Sequence, residues 1–382
     1  MDNKAGIRFL LDFWQDHYLN EYISEGGSKI KFITGREGSG KTFLLSEFQK
    51  DAERCGYLTV SLSAEQFYLN DFSFIYLQIL NQIDLDSLIR GCASRIAGML
   101  NYDMDTIGNR TLVDYLASIG ASDVITMQTI RSNLREMFLH DSLMDYNFAS
   151  ACALLTADVL GHPSLDGESK RILKRWLTGD RALKSAELKS VGLSSVKINR
   201  YNARHMLRSL GRLIRKAGHQ GLIVLVDDLE ILLDRQGNDF VKYSSAKRND
   251  TYESIRQLVD DIDTMKNLMF IFAFDRAMID NENIGLKSYQ ALWMRIQNEI
   301  VSRKFNRFSD IVDMDILSEQ VYTPEYLSEM SLHFAEEAEQ MHLPYTILDE
   351  TRTAELLKQS EYGSIGLAQM IKNATLQKEG NE

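Results

Sequence analysis

Gly35-Arg36-Glu37-Gly38-Ser39-Gly40-Lys41-Thr42 fits the pattern G-x-x-x-x-G-K-[S/T], and its neighbours give that pattern meaning. Lys29 to Thr34 is a short β-branched and aromatic run suited to a buried strand. Lys41 to Arg54 reads as an amphipathic helix carrying Phe43, Leu44, Leu45 and Phe48. Strand, glycine turn and helix follow one another as a phosphate-binding loop requires. The glycines let the backbone wrap a polyphosphate, and the amides with the helix N-terminus supply positive partial charge. Lys41 is then placed for the β- and γ-phosphates, and the Thr42 hydroxyl for Mg2+. ATP and Mg2+ are the expected cofactors.

The second chemical stretch is Gly221 to Glu230, Gly-Leu-Ile-Val-Leu-Val-Asp-Asp-Leu-Glu. A buried parallel strand is apolar on both faces, and α/β sheets bind ligands at the C-terminal ends of their strands. This run therefore reads as a Walker B element. Asp227 is the metal-side carboxylate next to Thr42, Asp228 stands where a base would polarise the attacking water, and Glu230 is the other nearby carboxylate. Asn267 to Phe274 is a further buried strand. Asp275 at its end is a candidate γ-phosphate sensor or a helix cap. Arg295, on a helix expected over Ser288 to Val301, is a candidate arginine finger acting in cis or across a subunit interface. His17 and Tyr18, on a helix expected over Ile7 to Ile23, are candidates for base contact or for the core.

With 382 residues the chain has room for two or three domains, and its three prolines permit long helices almost throughout. Successive helical patterns from about Asn70 onward, without strand signal, separate the two motifs by far more than a βαβ repeat needs. The expected division is 1–69, an N-terminal helix and the first part of the nucleotide core; 70–199, a helical insertion; 200–316, the second part of the core; and 317–382, a C-terminal helical lid. Strands are expected at Tyr57 to Ser61 and Ile311 to Ile316. Cys55, Cys92 and Cys152 are far apart and odd in number, which signals neither a disulfide framework nor a zinc site. The thiol pattern makes a reducing cytoplasm the expected compartment, and no apolar run approaches the roughly 18 residues needed to cross a bilayer.

The net charge is −11, yet Lys170 to Lys216 is +12 and the remainder −23. Arg200, Arg204, Arg208 and Arg212 recur every four residues with Lys216 completing the row, while Met206, Leu207, Leu210, Leu213 and Ile214 mark the opposite side of one helix. Two readings stand side by side: a DNA-binding ribbon, or arginines paired with acidic neighbours of the same chain.

His17 to Lys29, the phosphate loop, Asn202 to Arg204, Val226 to Glu230, Tyr252 to Asp260 and Ser288 to Ile296 together resemble the ATP-binding proteins of bacterial BREX-type phage-exclusion clusters, the BrxD-like kind. The similarity runs along nearly the whole chain. It implies an AAA+-like P-loop ATPase, related to origin-recognition ATPases, that acts in antiviral defence with a helicase partner. Two departures from the pattern point to slow turnover: Asp228 replaces a glutamate, and Gly363 to Gln377 carries no arginine where a second sensor often stands.

The expected fold is α/β, an AAA+-like parallel sheet with a large helical insertion and a helical lid. The expected function is an ATPase that binds DNA and loads or regulates a helicase-type or other defence partner, with homo-oligomerisation an open option. The alternative is a nucleotide-bound switch or scaffold with little hydrolysis. A phosphotransferase is disfavoured by the basic ribbon and the lid helices.

Overall fold

The computed structural model describes residues 5–108, 110–233, 241–296, 306–360, 363 and 365–376. A five-stranded parallel sheet forms its centre: β1 (Ser28–Gly35), β2 (Leu58–Ser63), β3 (Leu222–Asp227), β4 (Leu268–Asp275) and β5 (Ile311–Asp313), in the spatial order β2-β3-β4-β1-β5. β4 thus lies between the strand that feeds the glycine loop and the strand that ends in Asp227.

The sheet is covered on both faces. Leu222, Val224 and Val226 of β3 join one apolar cluster and Ile223 and Leu225 the other; Leu268, Phe270, Phe272 and Phe274 of β4 alternate likewise with Met269, Ile271 and Ala273. Successive side chains of a strand point to opposite faces, so a strand buried on both must be apolar at every position. The first cluster also takes in the helices between Phe72 and Lys216; the second takes in helix Lys41–Arg54, the N-terminal helix and the C-terminal helices.

The described segments between β2 and β3 are helical. Helices Phe72–Asn81, Leu85–Met99, Val124–Leu134, Tyr146–Leu160 and Gly167–Leu177 are each preceded by an aspartate, Asp71, Asp84, Asp123, Asp145 and Asp166, whose side chain accepts a backbone N–H of the first turn. Capping of this kind satisfies donors that a helix start leaves without partners. Cys55, Cys92 and Cys152 are free thiols, and no described helix is long and apolar enough to cross a membrane.

Local boundaries differ from expectation, β2 running Leu58–Ser63 where Tyr57 to Ser61 was expected. The N-terminal helix is α-helical over Ala5–Phe13 and widens to π-helix over Trp14–Tyr22. β5 stops at Asp313, because the Asp313 carboxylate accepts the Asp315 and Ile316 amides and starts helix Met314–Val321 where more strand was expected. The helix expected to Val301 is described as Gln290–Ile296, the rest of it lying outside the described residues.

Phe270 is fully buried and stacks on Phe272 with ring centroids 5.8 Å apart. Phe270→Ala is expected to lower unfolding stability by about 3–5 kcal/mol, through lost transfer energy and the cavity left behind. A urea unfolding midpoint unchanged from wild type would contradict this placement of β4 at the centre of the sheet.

Candidate nucleotide site

The loop from Gly35 to Thr42 crosses the C-terminal end of β1, and helix Lys41–Arg54 starts from it. Gly38 at φ 70° and Gly40 at φ 99° occupy left-handed backbone that few other residues adopt. Lys41 is buried and folds back so that Nζ donates to the Gly35 carbonyl at 2.8 Å and the Arg36 carbonyl at 3.0 Å. An ammonium has three donors, so one remains for a ligand oxygen. The Ser39 hydroxyl is buried in the same loop without a hydrogen-bond partner among the described residues.

Three carboxylates at the end of β3 fan out to different neighbours. Asp227 Oδ2 accepts the Thr42 hydroxyl at 2.8 Å, across the intervening β4. Asp228 Oδ2 accepts the Ser63 hydroxyl at 2.6 Å, at the end of β2. Glu230 Oε2 accepts the Asp275 amide at 3.1 Å, at the end of β4. β3 ends at Asp227, and Asp228 diverges from it through a left-handed turn at φ 61°. Burial, partly opposed by the Thr42 hydrogen bond, pushes the Asp227 carboxyl above its usual pKa. A half-buried carboxylate beside a hydroxyl, with phosphate oxygens and water completing the shell, is the hard-oxygen donor set that suits Mg2+. Among the described residues no group of three or more His, Cys, Asp or Glu could hold a metal by itself.

The loop is roofed by the C-terminal helices. The Gly366 amide donates to the Glu37 carbonyl at 2.9 Å and the Gln369 amide to the Gly38 carbonyl at 3.1 Å. A Cβ at Gly38 would lie 2.3 Å from that of Gln369, and one at Gly366 would lie 2.5 Å from the Ser39 backbone. Arg36 ties the same parts together: its amide donates to Asp315 at 3.0 Å, and its guanidinium reaches the Ser360 carbonyl and the Gly363 carbonyl, the latter at 2.7 Å. Beside this seam opens a cavity of about 510 Å³, walled by Gly38 to Phe43 on one side and by Tyr322, Tyr326, Met330 and Phe334 on the other. Its size and its aromatic and thioether wall suit a purine nucleotide.

Sequence reasoning missed that wall, although Tyr322, Tyr326, Met330 and Phe334 are spaced by four and the spacing was legible. It also missed Lys372, which lines the cavity from the segment in which no arginine was found. Arg276 was likewise missed: its guanidinium meets Asp313 at 2.6 Å and its amide donates to the Gly35 carbonyl at 3.1 Å.

Other candidates sit elsewhere. Tyr18 is buried in the core under Lys31 Nζ at 4.8 Å, whereas His17 stacks on Phe13 at 5.2 Å and stays partly exposed; neither lines the cavity beside the loop. Asp275 Oδ1 caps the next helix by accepting the Ala277 amide at 2.9 Å. Arg295 pairs with Asp260 and lines a cleft with Ser28 and Lys29. That cleft is at the start of β1, roughly 25 Å of extended strand from the loop at its other end, so Arg295 does not serve the loop of its own chain. Along the basic helix Ala203–Lys216, Arg204 pairs with Asp261 at 2.6 Å, Arg208 donates to the Leu143 carbonyl at 2.9 Å, and Arg212 and Lys216 share Asp141 at 2.8 and 2.7 Å. Arg200 lies over the Tyr201 ring at 5.0 Å. The pairing reading describes most of this row.

Residues 17–362 match the model of the family described as BREX system ATP-binding protein BrxC/D, and the chain belongs to that family. No characterised protein and no solved structure matches it. The family supports a phage-defence protein that binds ATP.

Two outcomes are expected from this geometry. Gly366→Ala places a methyl against the Ser39 backbone, costing about 1–3 kcal/mol at the seam; ATP affinity by calorimetry should fall about tenfold or more, and unchanged affinity would separate the helices from the site. Because the Asp227 pKa is raised in the protein without metal, protons compete with Mg2+ at a higher pH than at an ordinary carboxylate. Mg2+ affinity is therefore expected to drop on acidification before the range in which an ordinary carboxylate protonates, and the drop should vanish in Asp227→Asn.

Proposed function

We propose that this member of the BREX ATP-binding family is an AAA+-like, Mg2+-dependent nucleotide switch. It hydrolyses ATP slowly and passes its nucleotide state to a helicase-type defence partner through the C-terminal helices acting as a lid. The observation that carries the reading is the seam itself: backbone atoms of the phosphate loop at Glu37 and Gly38 hydrogen-bond the segment at Gly366 and Gln369. Whatever moves the loop moves these helices.

Mg2+, when bound, would neutralise charge developing between the phosphates, and Thr42 and Asp227 are the residues to hold it. Lys41 binds and orients the phosphates, Gly38 and Gly40 allow the loop to wrap them, and the wall of Tyr322, Tyr326 and Phe334 excludes water from the base. Asp228 is the base that would take a proton from the attacking water. Its bond from Ser63 holds it toward β2, away from Thr42, and this restraint supports slow turnover. Glu230, turned toward β4, is the second candidate for the same task.

Lys41→Ala is expected to lose about 1.5–3 kcal/mol of ATP binding and keep the fold. Single-turnover hydrolysis then separates the carboxylates. Ser63→Ala and Asp228→Glu should raise the rate, and Asp228→Asn should lower it by about 10²-fold or more while retaining bound ATP. An Asp228→Asn protein as fast as wild type, with Glu230→Gln slow, would transfer the base to Glu230.

A further inference from the structure

The helix Ala203–Lys216 pairs Arg204, Arg212 and Lys216 with carboxylates of the same chain, but not Arg215 among the described residues. Among the described residues Arg215 donates only to neutral acceptors, the His219 carbonyl at 3.0 Å and Gln220 Oε1 at 2.6 Å. Beside it stands Arg95, from helix Leu85–Met99 of the insertion, whose one hydrogen bond among the described residues goes to the Arg215 carbonyl at 3.4 Å. The approach is built into the backbone: a Cβ at Gly91 would lie 2.6 Å from the Ala217 carbonyl, so only glycine lets the two helices close here. One turn further along, Arg95 is delivered to Arg215.

Arg95, Arg212, Arg215 and Lys216 converge on a cavity of about 350 Å³, completed by Asn133, Glu136 and the thioethers Met99 and Met137. Arg212 meets Asp141 through Nε, which leaves its terminal nitrogens with no recorded partner among the described residues. The opposing acids are both engaged: Asp141 by Arg212 and Lys216, and Glu136 by His140 Nδ1 at 2.8 Å. Four cations around one concavity, in a chain of net charge −11, focus a positive field on a small volume.

We propose that this cavity is a second anion site that takes a small polyphosphate group, such as the di- or triphosphate of a nucleotide. Convergence favours this ligand over a nucleic-acid backbone, whose charges are spread along a line and call for cations arrayed the same way. Arginine forks match phosphate oxygens bidentately, and the volume lies in the range of small-molecule pockets. The site lies away from the phosphate loop, since the helix Ala203–Lys216 leads through Gly221 into the start of β3 and the loop sits at the strands' opposite ends. It is therefore independent of the nucleotide site and goes beyond the switch reading.

The test is titration calorimetry of the Lys41→Ala protein with inorganic tripolyphosphate at low salt. One site is expected to remain. Adding Arg95→Ser and Arg215→Ser should weaken it about tenfold or more, while Arg95→Lys with Arg215→Lys should retain most of the affinity. Glu136→Gln, which removes the one acid lining the cavity, should tighten it, an effect a purely structural role for these residues would not produce. Equal tripolyphosphate affinity with and without the double serine substitution, in proteins of equal melting temperature, overturns the proposal. So does a labelled duplex oligonucleotide that binds through Arg95 and Arg215 and is not displaced by tripolyphosphate.

Discussion

The Thr42 hydroxyl and the Asp227 carboxylate meet at 2.8 Å although the strands that deliver them are not neighbours. β4 stands between β1 and β3, so the contact exists only if three strands end at matching heights, and the register achieves this by pairing Gly35 with Asp275 and Val226 with Phe272. A strand in that position is enclosed by neighbours on both edges and by helices on both faces. It can carry polar chemistry only at its end, which is where Asp275 and Arg276 stand. The alternating Phe and aliphatic side chains of β4 thus fill both cores and hold the metal-side pair in reach.

The same geometry explains why the phosphate loop is coupled to the end of the chain. A glycine-rich loop exposes backbone amides and carbonyls, and those not needed by phosphate must find partners elsewhere. Glu37 and Gly38 find them at Gly366 and Gln369, with glycine at both contact points because any side chain would collide. Arg36 adds a charged tie to Asp315 and to the carbonyls at Ser360 and Gly363. The cavity that suits the base is formed between these two parts and belongs to neither alone.

The basic helix shows how context redirects charge. Asp141 loses solvation by burial, but hydrogen bonds from Lys216, Arg212 and the Leu143 amide outweigh that loss and hold its carboxyl below the usual range. Such a group adds stability that is present above the unfolded pKa and lost as pH falls through the folded one. The helix is thereby fastened to the insertion through Asp141, and through Arg204 to Asp261 at the end of helix Ser245–Asp261. Toward Arg215 and Arg95 the positive charge meets neutral acceptors among the described residues.

What the sequence determined by itself are the features set by nearest neighbours along the chain. The five strand positions, the helical character of the insertion and the order of strand, glycine turn and helix all follow from side-chain periodicity and from glycines that reach left-handed backbone. The resemblance that pointed to the BREX ATP-binding family was equally legible. Tertiary structure alone decided which charges meet. Nothing in Arg204 or Arg212 announces Asp261 or Asp141, because those partners lie 57 and 71 residues away. Nor does Asp228 announce Ser63, which is 165 residues distant and adjacent only because β2 pairs with β3. Arg95 and Arg215, from helices brought together by one glycine, share a cavity that no linear pattern records. Periodicity is a property of covalent spacing, whereas the state of a charge depends on the atoms that folding places around it.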